Sequence, residues 1–162
     1  MQMKKVLVMA CAALVMAGCS STPKMSEAER QELYRSHAGE EVSSFRMSGD
    51  LRGWMPLGDE SLVVWTKTNE AWLLDLMGSC PDMDYAMAIA LSSSANHVHK
   101  RFDSVTPVGS MLDQMPRMSC RIDHIRPLDT KAIKQAQDEL RQANVTERPQ
   151  AAGAEVSQAQ EQ

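Results

Sequence analysis

Two apolar runs separated by a short polar turn constrain the fold of this 162-residue chain more than any other feature. The first reads Ser-Leu-Val-Val-Trp-Thr-Lys at 61–67, the second reads Ala-Trp-Leu-Leu-Asp-Leu-Met at 71–77, and Asn69 lies in the turn. Because the first run is rich in β-branched and aromatic residues and the connection is short, the segment predicts a β-hairpin. Alternation assigns these side chains to one buried face: Leu62, Val64, Trp72, Leu74 and Leu76.

Further strands are predicted on the C-terminal side of the hairpin, at 98–105 and 120–125. The stretch at 85–91 fits either a helical turn or a strand, and 106–118, with two prolines and a glycine, is predicted to be a loop. We therefore predict a mainly β fold, with α+β as the alternative. It would be a small antiparallel sheet or partly closed barrel, with a weak N-terminal helix and a C-terminal helix.

The two helices are predicted from their capping residues. Ser26 and Glu29 have the spacing of a capping box, which predicts a helix from about 27 to 37. Asp129 or Thr130 caps a second helix that runs to about 143. Both have thin apolar stripes, so we expect the first to pack weakly or act as a spacer and the second to dock lightly. The predicted division is a signal peptide at 1–18, a tether and short helix at 19–40, a disulfide-linked β-rich domain at 41–129, a helix at 130–143 and a disordered tail at 144–162.

The N-terminus has the composition of a bacterial secretory signal. Two lysines precede an apolar segment at 6–17, which is too short to span a ~30 Å hydrocarbon core as a permanent helix. It leads into Ala-Gly-Cys at 17–19, as in lipoprotein signals, although Met16 departs from their usual residues. We expect cleavage before Cys19, acylation of its thiol and amine, and, since Ser20 follows, an outer-membrane anchor facing the periplasm. An ordinary cleavage site and an uncleaved anchor are the alternatives.

The remaining cysteines form a pair. One cysteine lies in the expected signal and Cys19 would carry lipid, which leaves Cys80 and Cys120. Because the periplasm oxidises thiols, an even pair there most simply forms one disulfide. A redox-active or metal-binding thiol pair is the alternative, and no Cys-x-x-Cys spacing supports it.

Three histidines are candidate metal ligands. His97 and His99 would share one face of a strand, and His124 lies on the other long strand. Imidazole binds Zn²⁺ and Cu²⁺, so a periplasmic copper- or zinc-binding protein is the alternative function. Methionines within 111–118 have spacing that Cu(I) sites use, although methionine also fills cores. A solvated polar face of a half-exposed sheet is the simpler interpretation of the histidines.

The sequence contains no common catalytic or cofactor motif. A nucleophile elbow, a P-loop, a dinucleotide fingerprint and a His-Glu-x-x-His zinc helix are all missing, so we expect no cofactor and no enzyme activity. The formal net charge of -4 argues against a nucleic-acid partner. Trp54 and Trp65 are candidates for a partner-binding patch, because tryptophan is enriched in binding hot spots, whereas Trp72 is expected in the core.

The order of several segments resembles a known family. Trp54 precedes the apolar strands of the hairpin, which run into Gly-Ser-Cys-Pro at 78–81. Arg-Phe-Asp follows at 101–103, and Cys-Arg-Ile-x-x-Ile-Arg-Pro-x-Asp at 120–129. This resembles a domain-of-unknown-function family of short secreted or lipoprotein bacterial envelope proteins. The resemblance implies a periplasmic domain with one disulfide, and it supplies no activity and no catalytic residue.

These observations lead to one expected function. We expect a lipid-anchored envelope protein with a non-enzymatic binding or structural role in the periplasm. Its expected partners are the lipid bilayer, through acylated Cys19, and an envelope protein.

Overall fold

The computed structural model describes residues 25–47, 49–109 and 118–143. Within these ranges the chain forms eight strands, one α-helix before them, one after them, and a short 3-10 turn at Met83–Tyr85. The helices are α1 (Glu27–Ser36) and α2 (130–143), and the strands are β1 (Ser44–Arg46), β2 (Gly53–Pro56), β3 (Ser61–Lys67), β4 (Glu70–Leu76), β5 (Ala88–Leu91), β6 (His97–His99), β7 (Ser104–Val108) and β8 (Cys120–Leu128). The expected signal peptide, Cys19 and the expected disordered tail lie outside the described residues.

Six of these strands form one antiparallel sheet in the order β2-β3-β4-β8-β7-β5. The other two, β1 and β6, form a separate antiparallel pair. The mainly β prediction is confirmed, and so is the C-terminal helix. The sheet is open, with β2 and β5 at its edges, so the partly closed barrel does not form. Within the described residues, no helix is both long and apolar enough to cross a membrane.

The hairpin of β3 and β4 lies near the middle of this sheet. Leu62 is opposite Leu74 and Val64 is opposite Trp72, as alternation predicts, and all the side chains assigned to one face contribute to one core. The intervening Val63 and Leu73 are fully buried as well, in a second core. We call the side of Leu62 the first face and the side of Val63 the second face. Both faces are covered, and this explains why the hairpin runs are so uniformly apolar.

The β1–β6 pair covers the first face. Phe45 of β1 stacks on Trp72 with ring centroids 4.9 Å apart, and Val98 of β6 is fully buried in the same core. Cys80 lies in this core too and is joined to Cys120 by a disulfide, with Cα atoms 5.7 Å apart. The pair expected from the sequence thus links the loop after β4 to the first residue of β8.

The two helices cover the second face. Leu33 and Tyr34 of α1 and Ile133 of α2 are all buried there, against Val63 and Leu73 of the hairpin. The first helix therefore packs on the sheet and is not a free spacer. The second helix docks through Ile133 near its start, whereas Leu140, further along its predicted stripe, is exposed.

Polar contacts fix α1 against β4 and against the turn between β2 and β3. The Gln31 side-chain amide donates to the Leu57 carbonyl oxygen at 2.7 Å, and Arg35 pairs with Asp75 of β4 at 3.1 Å. Gly58 has φ +83, and a Cβ at that position would lie 2.6 Å from a Glu27 carboxylate oxygen. The positive φ of this turn therefore favours glycine, whereas a Cβ would displace only the ends of the flexible Glu27 and Gln31 side chains.

The segment predicted as one strand at 98–105 is two strands. The chain reverses between β6 and β7 through Arg101, whose φ is +66, and the buried carboxylate of Asp103 stabilises the turn by accepting from the His99 amide at 2.7 Å. An Asp that bonds to nearby backbone amides favours a turn over a continued strand. The ambiguous segment at 85–91 contains the end of the 3-10 turn and then β5. The loop predicted at 106–118 begins later than expected, because β7 extends to Val108.

Candidate ligand groove

A groove of about 320 Å³ lies on the second face, where the β3–β4 turn meets both helices. Trp65 and Ala71 contribute from the hairpin strands, Tyr34 from α1, and the first two turns of α2 close the other side. The Trp65 groove, as we call it, is lined by Tyr34, Trp65, Thr68, Asn69, Ala71, Thr130, Lys131, Ile133, Lys134 and Gln137. Its volume falls at the lower end of the range for small-molecule sites.

Two side-chain hydrogen bonds hold the walls of the groove in place. The Thr130 hydroxyl donates to the Asn69 carbonyl oxygen at 3.3 Å, which joins the start of α2 to the hairpin turn. The Gln137 amide donates to the Tyr34 hydroxyl at 3.5 Å, which joins the two helices. Burial raises the pKa of Tyr34, so its phenol stays protonated at neutral pH and offers a neutral donor to the groove.

The charge of the groove is opposite to that of the chain. Lys131 and Lys134 lie one turn apart on α2 and both line the groove, whereas no carboxylate among the described residues does so. The first amides of α2 are already bonded, because the Asp129 carboxylate accepts from the amides of Lys131 and Ala132 at 3.1 and 3.0 Å. Attraction for an anion would therefore come from the two lysine side chains rather than from the helix end.

The two candidate tryptophans do not form one patch. Trp54 lies opposite Val64, and Trp65 lies opposite Gly53. Since neighbours along a strand point to opposite faces, Trp54 packs against the first-face core and Trp65 against the second. Trp65 lines the groove, and Trp72 has the core packing expected for it.

The histidines are not gathered into one site. The rings of His97 and His99 are 6.0 Å apart, and His99 Nδ1 is 3.5 Å from the Asp103 carboxylate. His124 instead contacts Glu41 at 2.9 Å and Asp123 at 3.2 Å. Throughout 25–47, 49–109 and 118–143, no group of three or more His, Cys, Asp or Glu side chains is placed to hold a metal ion. Of the methionine series, 111 and 115 lie outside the described residues.

His124 contacts those carboxylates because of a β-bulge. Asp75 of β4 pairs with His124 but the next residue, Leu76, pairs with Ile122, so β8 carries one extra residue at Asp123. The bulge turns Asp123 and His124 both away from the core while Ile122 and Ile125 both enter it.

A charged network surrounds this bulge. Glu41 accepts hydrogen bonds from Lys100 and His124, and these bonds lower the pKa of Glu41 to about 2. Arg101 pairs with Asp123 at 3.4 Å. The network therefore joins the segment before β1, the β6–β7 turn and β8 by charge-assisted contacts at the surface.

Comparison with known proteins gives a family and no activity. The sequence profile of a family of unknown function, DUF6491, matches residues 2–144. The chain belongs to the DUF6491 family. The domain-of-unknown-function assignment is thus confirmed, while the envelope location expected with it stays a prediction. No curated protein and no solved structure matches the chain.

Several groove residues of this DUF6491 member were not singled out from the sequence. No role was assigned to Lys131 or Lys134 from the sequence, and Tyr34 counted only toward the thin apolar stripe of the first helix. The two lysines are three residues apart on a helix that begins at a predicted cap, and this spacing was a usable signal. It could not be interpreted without knowing that α1 and α2 pack side by side over the hairpin.

Proposed function

We propose that the chain is a lipid-anchored protein of the bacterial periplasm that binds an acidic saccharide in the Trp65 groove. The observation that carries the ligand proposal is the groove itself, where an aromatic floor meets two lysines in an otherwise acidic protein. The proposed role is recognition rather than catalysis. The anchor would keep this recognition at the membrane surface.

The proposed location rests on the N-terminal sequence and on the disulfide. The Ala-Gly-Cys step at 17–19 is the acylation pattern, and two or more acyl chains hold a protein stably on a bilayer. The bond between Cys80 and Cys120 suits a compartment in which thiols are oxidised. Both features support residence outside the cytoplasm.

The proposed ligand follows from the chemistry of the lining. The face of an aromatic ring such as that of Trp65 packs well against the flat carbon–hydrogen face of a sugar ring. Hydroxyl and amide groups such as those of Thr130 and Gln137 can exchange hydrogen bonds with sugar hydroxyls. Lys134 and Lys131 can pair with a carboxylate on the sugar, which selects acidic over neutral saccharides.

Heteronuclear NMR can test the groove directly. Titration with an oligosaccharide of uronic acids should shift the Trp65 indole N–H signal, and the corresponding neutral oligosaccharide should shift it much less. Lys134→Gln should weaken binding roughly fivefold, because one charge pair at a partly exposed site is lost. Arg46→Gln removes the same charge from exposed β1 and should bind as the unaltered protein does. Absence of Trp65 shifts with either sugar, or equal binding of both, would refute the ligand proposal.

The anchor has its own test. Intact-mass analysis of protein extracted from bacterial membranes should show acyl chains on a chain that begins at Cys19. Cys19→Ala should release the protein from the membrane fraction. A chain that begins elsewhere, or an unacylated Cys19, would remove the anchor from the proposal without affecting the groove.

A further inference from the structure

Among the described residues, the outer edge of β5 pairs with no other strand. β5 ends the sheet, and its partner β7 pairs with it from Ala88–Val108 to Leu91–Val105. The Ser92 amide donates to the Ser104 carbonyl oxygen at 3.0 Å. Because backbone groups alternate in direction along a strand, Ala88 and Ala90 are the β5 residues whose backbone groups bond to β7. The amides and carbonyls of Ile89 and Leu91 therefore point away from the sheet.

This edge lacks the usual protection against pairing. No charged residue occurs from Tyr85 to Asn96, and two exposed apolar side chains precede the strand, with Tyr85 78% and Met87 83% exposed. The opposite edge differs, because β2 ends in Pro56. The Leu57 amide donates to the Ser61 carbonyl oxygen, so by alternation the Pro56 nitrogen faces outward. Proline has no N–H group, so this position offers no donor to another strand.

We propose that two copies of the chain associate by antiparallel pairing of their β5 strands about a two-fold axis at Ala90. In this register Ile89 of one copy pairs with Leu91 of the other, and each pair exchanges backbone bonds in both directions. The two Ala90 side chains then face each other directly. The result is one continuous sheet that runs through both copies.

A second copy suits this edge for two reasons. Ile89 and Leu91, whose amides and carbonyls face outward, lie on either side of Ala90. A two-fold rotation about Ala90 therefore places the amides of one copy opposite the carbonyls of the other. In the proposed dimer the two Ala90 residues form a non-hydrogen-bonded pair, whose Cα atoms lie about 4.5 Å apart. Ala90 is exposed and its side chain is small, so two copies fit at this distance. The uncharged segment also brings no like charges together. The inference uses none of the groove residues and stands independently of the proposed ligand.

The test uses the mature chain, residues 19–162 with Cys19→Ser, in analytical ultracentrifugation. We expect a concentration-dependent dimer. Ala90→Lys should weaken it by roughly threefold to tenfold, because like charges would lie directly opposite each other across the axis. Ala90→Glu should do the same, and an equimolar mixture of the Lys and Glu variants should form heterodimers. Ala28→Lys, at an exposed position on α1, is the matched control and should dimerise normally.

Amide hydrogen exchange supplies a second readout that does not depend on the variants. The amides of Ile89 and Leu91 should become protected as the protein concentration rises, whereas the Ala90 amide should be protected throughout. A monomer at all concentrations would overturn the proposal. So would protection of Ile89 and Leu91 in the monomer, which would mean that the same chain covers the edge, or a dimer unaffected by Ala90→Lys and Ala90→Glu.

Discussion

Asp103 is a buried acidic side chain whose interactions define a turn. Only 5% of its surface is exposed, and its carboxylate accepts from the Ser92 hydroxyl at 2.6 Å and from the His99 amide at 2.7 Å. The Ser92 hydroxyl oxygen in turn accepts from the Ser104 amide at 2.9 Å. One carboxylate therefore organises the end of β5, the end of β6 and the start of β7.

Removal of this carboxylate should be costly. Asp103→Ala leaves the His99 amide and the Ser92 hydroxyl without their acceptor, and we expect the free energy of unfolding to fall by roughly 1–3 kcal/mol. Urea denaturation followed by circular dichroism measures the change. Asp84→Ala removes an exposed carboxylate and should stay within about 0.5 kcal/mol. Equal effects of the two substitutions would contradict the assigned role.

Glu41 makes stability depend on pH in the acid range. Its folded-state pKa, about 2, lies below the ordinary value of 4.5, so its contribution is fully present above about pH 4.5 and is lost as the pH falls toward 2. The melting temperatures of the unaltered protein and Glu41→Gln should therefore differ near neutral pH and converge between pH 5 and 2. Glu40→Gln, an exposed neighbour, serves as the control. A difference that stays constant over this range would exclude the ion-pair explanation.

At the scale of elements, the hairpin was predictable and the docking of the helices was not. Alternation in β3 and β4 is a local signal, and so is the capping box of α1, in which Ser26 and Glu29 bond reciprocally. The burial of Leu33 and Ile133 depends instead on contacts with the second face of the sheet, which are distant in sequence and leave no local pattern. The β6–β7 turn was missed because it depends on hydrogen bonds from Ser92 and His99 to Asp103, and the alternation of apolar residues contains no information about such bonds. The groove depends on docking of both helices, so only Trp65 among its residues was proposed from the sequence.

The docking of α2 can be tested along its own stripe. Ile133 is 5% exposed within the second core, whereas Leu140, two turns later, is 47% exposed. Ile133→Ala should lower the free energy of unfolding by about 2–3 kcal/mol, since a large buried side chain is removed. Leu140→Ala should change it by less than about 0.5 kcal/mol. Similar small losses for both variants would show that α2 docks lightly after all.

For the whole molecule, the disulfide links the first-face core to β8, the strand that pairs with both β4 and β7. Cys80 is fully buried in the loop that follows β4, and Cys120 begins β8. The bond closes a loop with a sequence separation of 40 residues. It therefore restricts roughly a quarter of the 162-residue unfolded chain.

Loss of the disulfide should destabilise the entire fold. The chain-entropy relation for a loop of this length gives a loss of about 4 kcal/mol for Cys80→Ala/Cys120→Ala. Urea unfolding of the oxidised protein and the double variant measures it. A reductant should destabilise the unaltered protein and leave the double variant unchanged. Equal unfolding midpoints in the presence and absence of reductant would show that the bond contributes nothing.

The position of β8 has a consequence for how the chain must fold. This strand lies between β4 and β7, yet it is the last of the described strands in the sequence. Until residue 128 is available, β2–β3–β4 and β5–β7 are separate fragments, and the pairing that unites them spans a long stretch of chain, which slows its formation. The sheet of a polypeptide delivered from its N-terminus thus remains incomplete until residue 128 has emerged. In the envelope location proposed above, such a strand order would delay folding while the chain passes through an export channel and would allow it afterwards.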